Sequence, residues 1–567
     1  MAVMDNDDFS LVKIDIKENL TKVNTIGKVF ISKLFSYPDK MFLKYKKYGS
    51  FRNICYTETF NSMKALYIQF CQMNLSRGER ILFLSQNKQQ LFTASLCAAV
   101  SGFVSVIVSS DYTSSQISEI ISQIQPKCII VSDDEQFGKL NTSIPVISFE
   151  KISNEILYYK DIIKKYKNNN IDFEKIIYEI KPDDLAYILY QYNDRGFLEG
   201  IKLTHNNILF SVKSVYEEIN IISSNDNVLL TIPFDLIGGL FDFYLCLYAG
   251  AACIVADNTE INTVLNNLIE TNADMLSANT YIWKKFHDFF QIANNPLLEQ
   301  DFIDSVFKNL KKGLCWGIVQ HNSIIEFFET LDIIQFYGFL ETSGPYAYKK
   351  SDLNIFKSLS EIQILSDNNS EIIVKGQNIF SGYVKNNNFV TEDYFKTGDI
   401  GSIDKEGHIN IFSNKTKCIT TLDGYKILPQ RIENLIDSKF ISQIVVIGSQ
   451  KEFLSALIFP DIKYLNEYAY KELKISNIAI NELIKNRWIK ALYRLILENS
   501  NKDLAKFEQI NKFALLSDPF TVESMEINSS GEFDREYIEI TRSREIEAIY
   551  KISFSKLLYS SPKQPYI

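Results

Sequence analysis

The chain has 567 residues, 46% hydrophobic and 23% charged, with a net charge of −9. That length exceeds what one core serves and predicts two or three packed units. The acidic balance excludes the basic surface that a duplex-binding protein presents, so no nucleic-acid partner is expected.

No stretch reaches the roughly 18 uninterrupted apolar residues that span a bilayer, so no transmembrane segment is expected. Met1 to Asp8 is acidic and polar, unlike a secretory signal. Eight cysteines between Cys55 and Cys418 form no CxxC pair, which predicts reduced thiols and a cytoplasmic protein. Four histidines without HxxxH or HExxH spacing give no histidine metal site.

In chain order, Ile81–Leu84, Val104–Val108 and Cys128–Val131 read as buried strands, with helices over Gln89–Val100 and Ser115–Ile124 between them. Strands alternating with helices imply parallel pairing through right-handed crossovers. Thr204 is a candidate N-cap for a helix with Ile208, Leu209, Val212, Val215 and Ile219 on one face. The alternation resumes at Val228–Ile232, followed by a Gly-bearing turn at Asp235–Gly239, and again at Ala252–Val255. From about residue 355 the texture becomes short strands and turns: Glu361–Leu365, Glu371–Val374, and His408–Phe412 after the turn Asp404–Gly407. A last α+β segment holds strands Gln443–Ile447 and Leu454–Phe459 and then helices. Asn-rich stretches at 168–170, 367–370 and 386–388 mark loops.

Four landmarks follow one another along the chain. They are Tyr187–Tyr190 leading to Leu203-Thr204-His205, Phe336-Tyr337-Gly338-Phe339-Leu340-Glu341-Thr342, Phe395-Lys396-Thr397-Gly398-Asp399, and Asp423-Gly424-Tyr425-Lys426 through Arg431 to Asn434. Together they resemble the adenylate-forming (AMP-binding) superfamily. Phe453–Asp461 and Leu504-Ala505-Lys506-Phe507-Glu508-Gln509-Ile510 resemble its long-chain acyl-CoA synthetases. The resemblance runs from about residue 25 to Tyr550. It implies an α/β fold: a large N-terminal domain of parallel α/β layers over residues 1–412, with a β-rich subdomain at about 355–412. A small mobile C-terminal α+β domain, which swings in the family, would occupy 413–567.

The resemblance also assigns roles. Tyr337 and Gly338 match the turn against adenine, Asp399 the carboxylate that takes the ribose hydroxyls, Glu341 the Mg²⁺ ligand and Thr342 its hydroxyl partner. The phosphate loop is changed. Where the family carries hydroxyls, glycines and a lysine, this chain has Gln191, Tyr192, Asn193, Asp194, Arg195 and Glu199, keeping Gly196 and Gly200. A carboxylate ~4 Å from a phosphate is repelled by about 4 kcal/mol at an effective dielectric near 20. Arg195 is the loop residue suited to meet an anion, and the competing reading is a plain surface loop.

Further on, Asn414 stands at the place of an arginine and Lys417 at that of a hinge aspartate, or Lys415 takes the arginine position after a one-residue shift. Glu532 replaces the lysine that bridges carboxylate and α-phosphate, a contact worth about 10²–10³ in rate. Phe234 opens the acyl-pocket stretch where histidine is common, and Phe241, Phe243 and Tyr244 follow as pocket or core. His205 is assigned no chemistry.

The resulting expectation is a degenerate acyl-CoA synthetase homologue that adenylates poorly. It would act through a retained acyl or adenylate pocket, or as a partner of an acyl carrier protein or an active synthetase. The rivals are an active ligase using ATP, Mg²⁺ and CoA or an acyl carrier, and a catalyst that uses a preformed acyl-adenylate or thioester.

Overall fold

The computed structural model describes residues 23–193, 197–256, 258–293, 306, 308–317, 331–350, 355–366, 371–385, 394–414, 418–475, 478–527 and 533–551. It divides into two compact units. One comprises Met1–Ser110, Ser114–Gln191 and Glu199–Lys415; the other comprises Asp111–Thr113, Tyr192–Leu198 and Thr416–Ile567.

Among the described residues, the first unit contains a seven-stranded and a thirteen-stranded sheet. The seven-stranded sheet runs Leu157–Tyr158, Val146–Ser148, Cys128–Val131, Arg80–Leu84, Val104–Val108, Leu185–Tyr192, Leu198–Thr204. Its central pairs are parallel, Leu82 facing Val106 on one side and Ile129 on the other. Both faces are covered, which is why these strands read as unbroken apolar runs rather than alternating ones. The expected helices form at Gln89–Val100 and Ser114–Ile124.

In the larger sheet, Asn227–Leu230, Ala252–Val255, Met275–Asn279, Lys312–Trp316 and Asp332–Phe339 pair in parallel. Beyond Asp332–Phe339 the pairing turns antiparallel through Gly344–Lys349 and Phe356–Ser358. The β-rich stretch therefore continues the same sheet: Phe356 faces Ile409, and Tyr394–Ile403 joins His408–Asn414 to Glu371–Lys375. The Asn-rich stretches at 367–370 and 386–388 lie outside the described residues.

One local expectation is corrected. The glycines of Asp235–Gly239 sit in the first turn of a helix, Ile237–Ala249, rather than in a turn between elements. Close approach explains them: a Cβ on Gly239 would lie 2.2 Å from the Pro233 carbonyl oxygen, and one on Gly238 would lie 3.0 Å from the Trp316 indole.

The second unit centres on a three-stranded sheet in which Leu454–Pro460 lies between Ile441–Ile447 and Ile510–Leu515. Period-two alternation splits Ile441–Ile447 between two cores. Ile444 and Val446 pack with Leu465, Ile489 and Tyr493, while Val445 and Ile447 pack with Phe520, Ile538 and Ile546.

Candidate functional site

The strand Leu185–Tyr192 delivers Gln191, and its sheet neighbour Leu198–Thr204 begins with Leu198 and Glu199. Between them, the Asn193 N–H donates to the Phe197 carbonyl at 3.0 Å, and the Phe197 N–H donates to Asn193 Oδ1 at 3.1 Å. Asn193 thus closes the turn with its own side chain. Asp194, Arg195 and Gly196 lie outside the described residues. Glu199 is half-buried in its strand. Gly200 is a packing position: a Cβ there would come within 2.7 Å of Val384 and 2.9 Å of the Tyr190 ring.

The next helix, His205–Ile219, starts with a full capping box between Thr204 and Asn207. Asn207 also donates to the carbonyls of Gln377 (2.8 Å) and Ile379 (2.7 Å). The segment it holds reaches the Glu341 turn, where the Phe380 N–H meets the Glu341 carbonyl at 3.0 Å and Asn378 donates to the Thr342 carbonyl at 3.2 Å. The same segment lines the edge of Leu198–Thr204 through Lys202 N–H to Gly382 and Val384 N–H to Gly200. That connection puts Tyr383 beside Glu341.

Glu341, 5% exposed, lies in a single 3₁₀ turn, Leu340–Thr342. Its Oε1 accepts from the Gln191 amide at 2.8 Å and from the Tyr383 hydroxyl at 3.3 Å. These two donors occupy the lone pairs of Oε1, the positions that a bound cation would also take. Oε1 is therefore answered from within its own unit, and a Mg²⁺ ion at this oxygen would have to displace one of these donors. The Thr342 hydroxyl serves its own turn, accepting from the Phe339 N–H at 2.9 Å and donating to the Gly344 carbonyl at 2.7 Å. Gly338 is fixed by the hairpin that follows, because a Cβ would lie 2.2 Å from the Gly344 oxygen.

The second carboxylate, Asp399, is 1% exposed on strand Tyr394–Ile403. Gly398 before it adopts φ +78, a conformation that glycine takes without strain. Asp399 Oδ2 accepts from the Tyr337 hydroxyl at 2.9 Å and the Tyr346 hydroxyl at 3.4 Å. Burial and the adjacent Asp399 charge push both phenols well above their ordinary range, so they remain protonated donors. The Tyr337 ring packs against Phe339, Tyr346 and Phe356 with centroids 5.6–5.8 Å away.

Asn414 ends the strand His408–Asn414, opposite Asp399 in register, while Lys415, Lys417 and Glu532 lie outside the described residues. Phe234, 1% exposed, contacts the rings of Phe92, Tyr187 and Phe243. The aromatic stretch is packed core at this point. His205 is fully buried, accepts from the Ile26 N–H at 3.3 Å and is driven to a pKa of about 4, chiefly by burial.

Sequence reasoning missed Tyr383, Tyr346 and Asn378, which no motif marks. Asn207 had a signal, as the third residue after a candidate N-cap. Asp242, buried in helix Ile237–Ala249, was missed as well. It accepts from Ser277 and, at 3.0 Å, from the Trp316 indole, and burial pushes its pKa up to about 7.

In the second unit the motif residues meet one another. Tyr425 stacks on Phe507 at 4.1 Å, Arg431 pairs with Glu508, and Arg535 pairs with Glu433 at 2.7 Å.

The sequence pattern of the AMP-binding enzymes matches residues 33–384, and that of their C-terminal domain matches 416–553. A human protein named long-chain-fatty-acid–CoA ligase ACSBG2 is 22% identical over 84% of this chain and 85% of its own. The long-chain-fatty-acid–CoA ligase FadD15 of Mycobacterium bovis is 30% identical over 39% of this chain and 38% of its own. Among solved structures, the A-PCP didomain of a Segniliparus rugosus carboxylic acid reductase in complex with AMP superposes with a TM-score of 0.76. It is 14% identical, covering 97% of this chain and 85% of that one. With the family pattern spanning more than half of its length, the chain belongs to the AMP-binding enzyme family.

Proposed function

We propose that this family member has lost efficient adenylation and works by binding an acyl or adenylate ligand or by partnering an active enzyme. One observation carries the reading. The two carboxylates that the family resemblance assigns to Mg²⁺ and ribose, Glu341 and Asp399, already accept hydrogen bonds from Gln191 and Tyr337 of their own unit. An ATP-bound state that took over these two oxygens would have to break both, at a cost of about 1.5–3 kcal/mol for each bond to a charged group. It would do so beside a loop whose lysine is Glu199, with Glu532 replacing the second lysine. The relatives' names supply the ligand class, long-chain fatty acids and CoA, and the family supplies AMP. A cytoplasmic location is part of this reading, in keeping with eight cysteines that form no CxxC pair.

The test is ATP–pyrophosphate exchange by the full chain with Mg²⁺ and medium- to long-chain fatty acids. Exchange should stay at background; exchange at the rate of an active acyl-CoA ligase run in parallel would overturn the proposal and restore the active-ligase reading.

A further inference from the structure

The helix Arg487–Ser500 carries two apolar stripes. Ile489, Tyr493 and Leu497 are buried in the core of the second unit. On the outer arc, the exposed Trp488, Ala491 and Leu495 and the half-buried Leu492 recur at i, i+3, i+4 and i+7, the spacing of a second continuous stripe. Trp488 is 55% exposed and Leu495 56%.

Arg487, Lys490 and Arg494, all exposed, flank this stripe, and the Arg487 guanidinium lies 4.9 Å over the Trp488 ring. Among the described residues these three cations make no ion pair, whereas Lys485, just before the helix, is paired with Glu482 at 2.8 Å. Glu498 is the acidic side chain on the same arc. A cluster of unpaired cations beside an exposed indole runs against the net charge of −9 on the whole chain.

We propose that this face docks on an anionic lipid surface. An exposed tryptophan and leucines at helical spacing fit the headgroup–acyl boundary, where the indole and the aliphatic stems of Arg and Lys lie in apolar surroundings while their charges stay in water. Anionic headgroups supply the counter-charge that Arg487, Lys490 and Arg494 lack within the protein. A second copy of the chain fits less well, because a two-fold contact would set the same three cations against themselves. The inference does not depend on whether adenylation survives.

The protein carries its own reporter. Of its three tryptophans, Trp283 and Trp316 are 0% and 9% exposed, leaving Trp488 to sense a surface. The full chain is mixed with vesicles of phosphatidylcholine alone or with about 30% phosphatidylserine, followed by co-sedimentation and fluorescence quenching. The expected result is sedimentation with the phosphatidylserine vesicles, a blue shift and loss of iodide quenching, all weakened by salt. Trp488→Ala with Leu495→Ala, and separately Arg487→Glu with Arg494→Glu, should each lower vesicle affinity about tenfold or more. These positions are exposed, so unchanged melting curves establish that the variants fold. Supernatant localisation with both vesicle types, or equal binding by wild type and variants, would overturn the proposal. So would a concentration-dependent dimer abolished by Leu495→Glu.

Discussion

Replacing Tyr337 with phenylalanine removes one hydroxyl and leaves the ring among Phe339, Tyr346 and Phe356, so the change isolates the bond to Asp399. The bond is 2.9 Å long and its acceptor is a carboxylate 1% exposed. Hydrogen bonds to charged groups contribute about 1.5–3 kcal/mol, and Tyr346 remains only at 3.4 Å. Stability in urea should therefore fall by about 1.5–3 kcal/mol. If the ribose of AMP has to displace this hydroxyl, the same energy no longer opposes binding. AMP affinity should then rise roughly 10- to 150-fold by calorimetry. The two readouts have opposite signs, which a general disruption of the site cannot produce. Weaker AMP binding by Tyr337→Phe would refute the account, since the hydroxyl would then be helping the nucleotide rather than competing with it.

Gln191→Ala should lower stability by about 1–3 kcal/mol, because Glu341 is buried and loses its 2.8 Å donor; urea titration measures it. AMP and a non-hydrolysable acyl-adenylate should bind more tightly than ATP with Mg²⁺ in calorimetry, and tightest binding by ATP would count against the loop argument. Asp242 ionises near 3.8 when unfolded but near about 7 when folded, so the native state holds the proton more firmly. Stability should fall as pH rises from about 4 to 7, by up to roughly 4 kcal/mol, and Asp242→Asn should flatten that slope. His205 acts in the opposite sense. Its folded pKa is about 4 against 6.5, so its share of stability is present above 6.5 and lost as pH falls through 4, about 3 kcal/mol that His205→Gln should remove.

How much of the fold and the site is legible in the sequence follows from which interactions are local. Strands covered on both faces, such as Val104–Val108 and Cys128–Val131, announce themselves as apolar runs bounded by turns, and they form at the expected residues. The cap at Thr204 is readable because the box closes within four residues. The glycines at 238 and 239 mislead because local pattern equates glycine with chain reversal. Their cause is the distant Trp316 and the Pro233 carbonyl, which local pattern cannot supply. The positions of Glu341 and Asp399 come from motif resemblance, but their partners do not. Gln191 is 150 residues from Glu341 and Tyr337 is 62 from Asp399, pairings that only the folded sheet creates.

On the proposed reading, those partners bear on why the loop could change while the carboxylates stayed. A buried carboxylate without donors costs several kcal/mol, so Glu341 and Asp399 are tolerable only when something answers their charge. In a nucleotide-using relative, metal and ribose can share that task. Here Gln191, Tyr383, Tyr337 and Tyr346 supply donors from within the chain. Once internal donors suffice, folding no longer depends on a ligand, and residues that would meet only phosphates are released from that constraint. Glu199 on a half-buried strand position is what such release looks like, whereas Gly200 one residue later stays because the Val384 and Tyr190 side chains leave no room for a Cβ. On the proposed reading, retention in this site follows packing and charge satisfaction, and loss follows contact with the triphosphate. A Gln191→Ser, Glu199→Lys double variant probes that division. It should gain ATP affinity while losing stability, and a variant that gained neither affinity nor exchange would count against the loop as the proposed cause of poor adenylation.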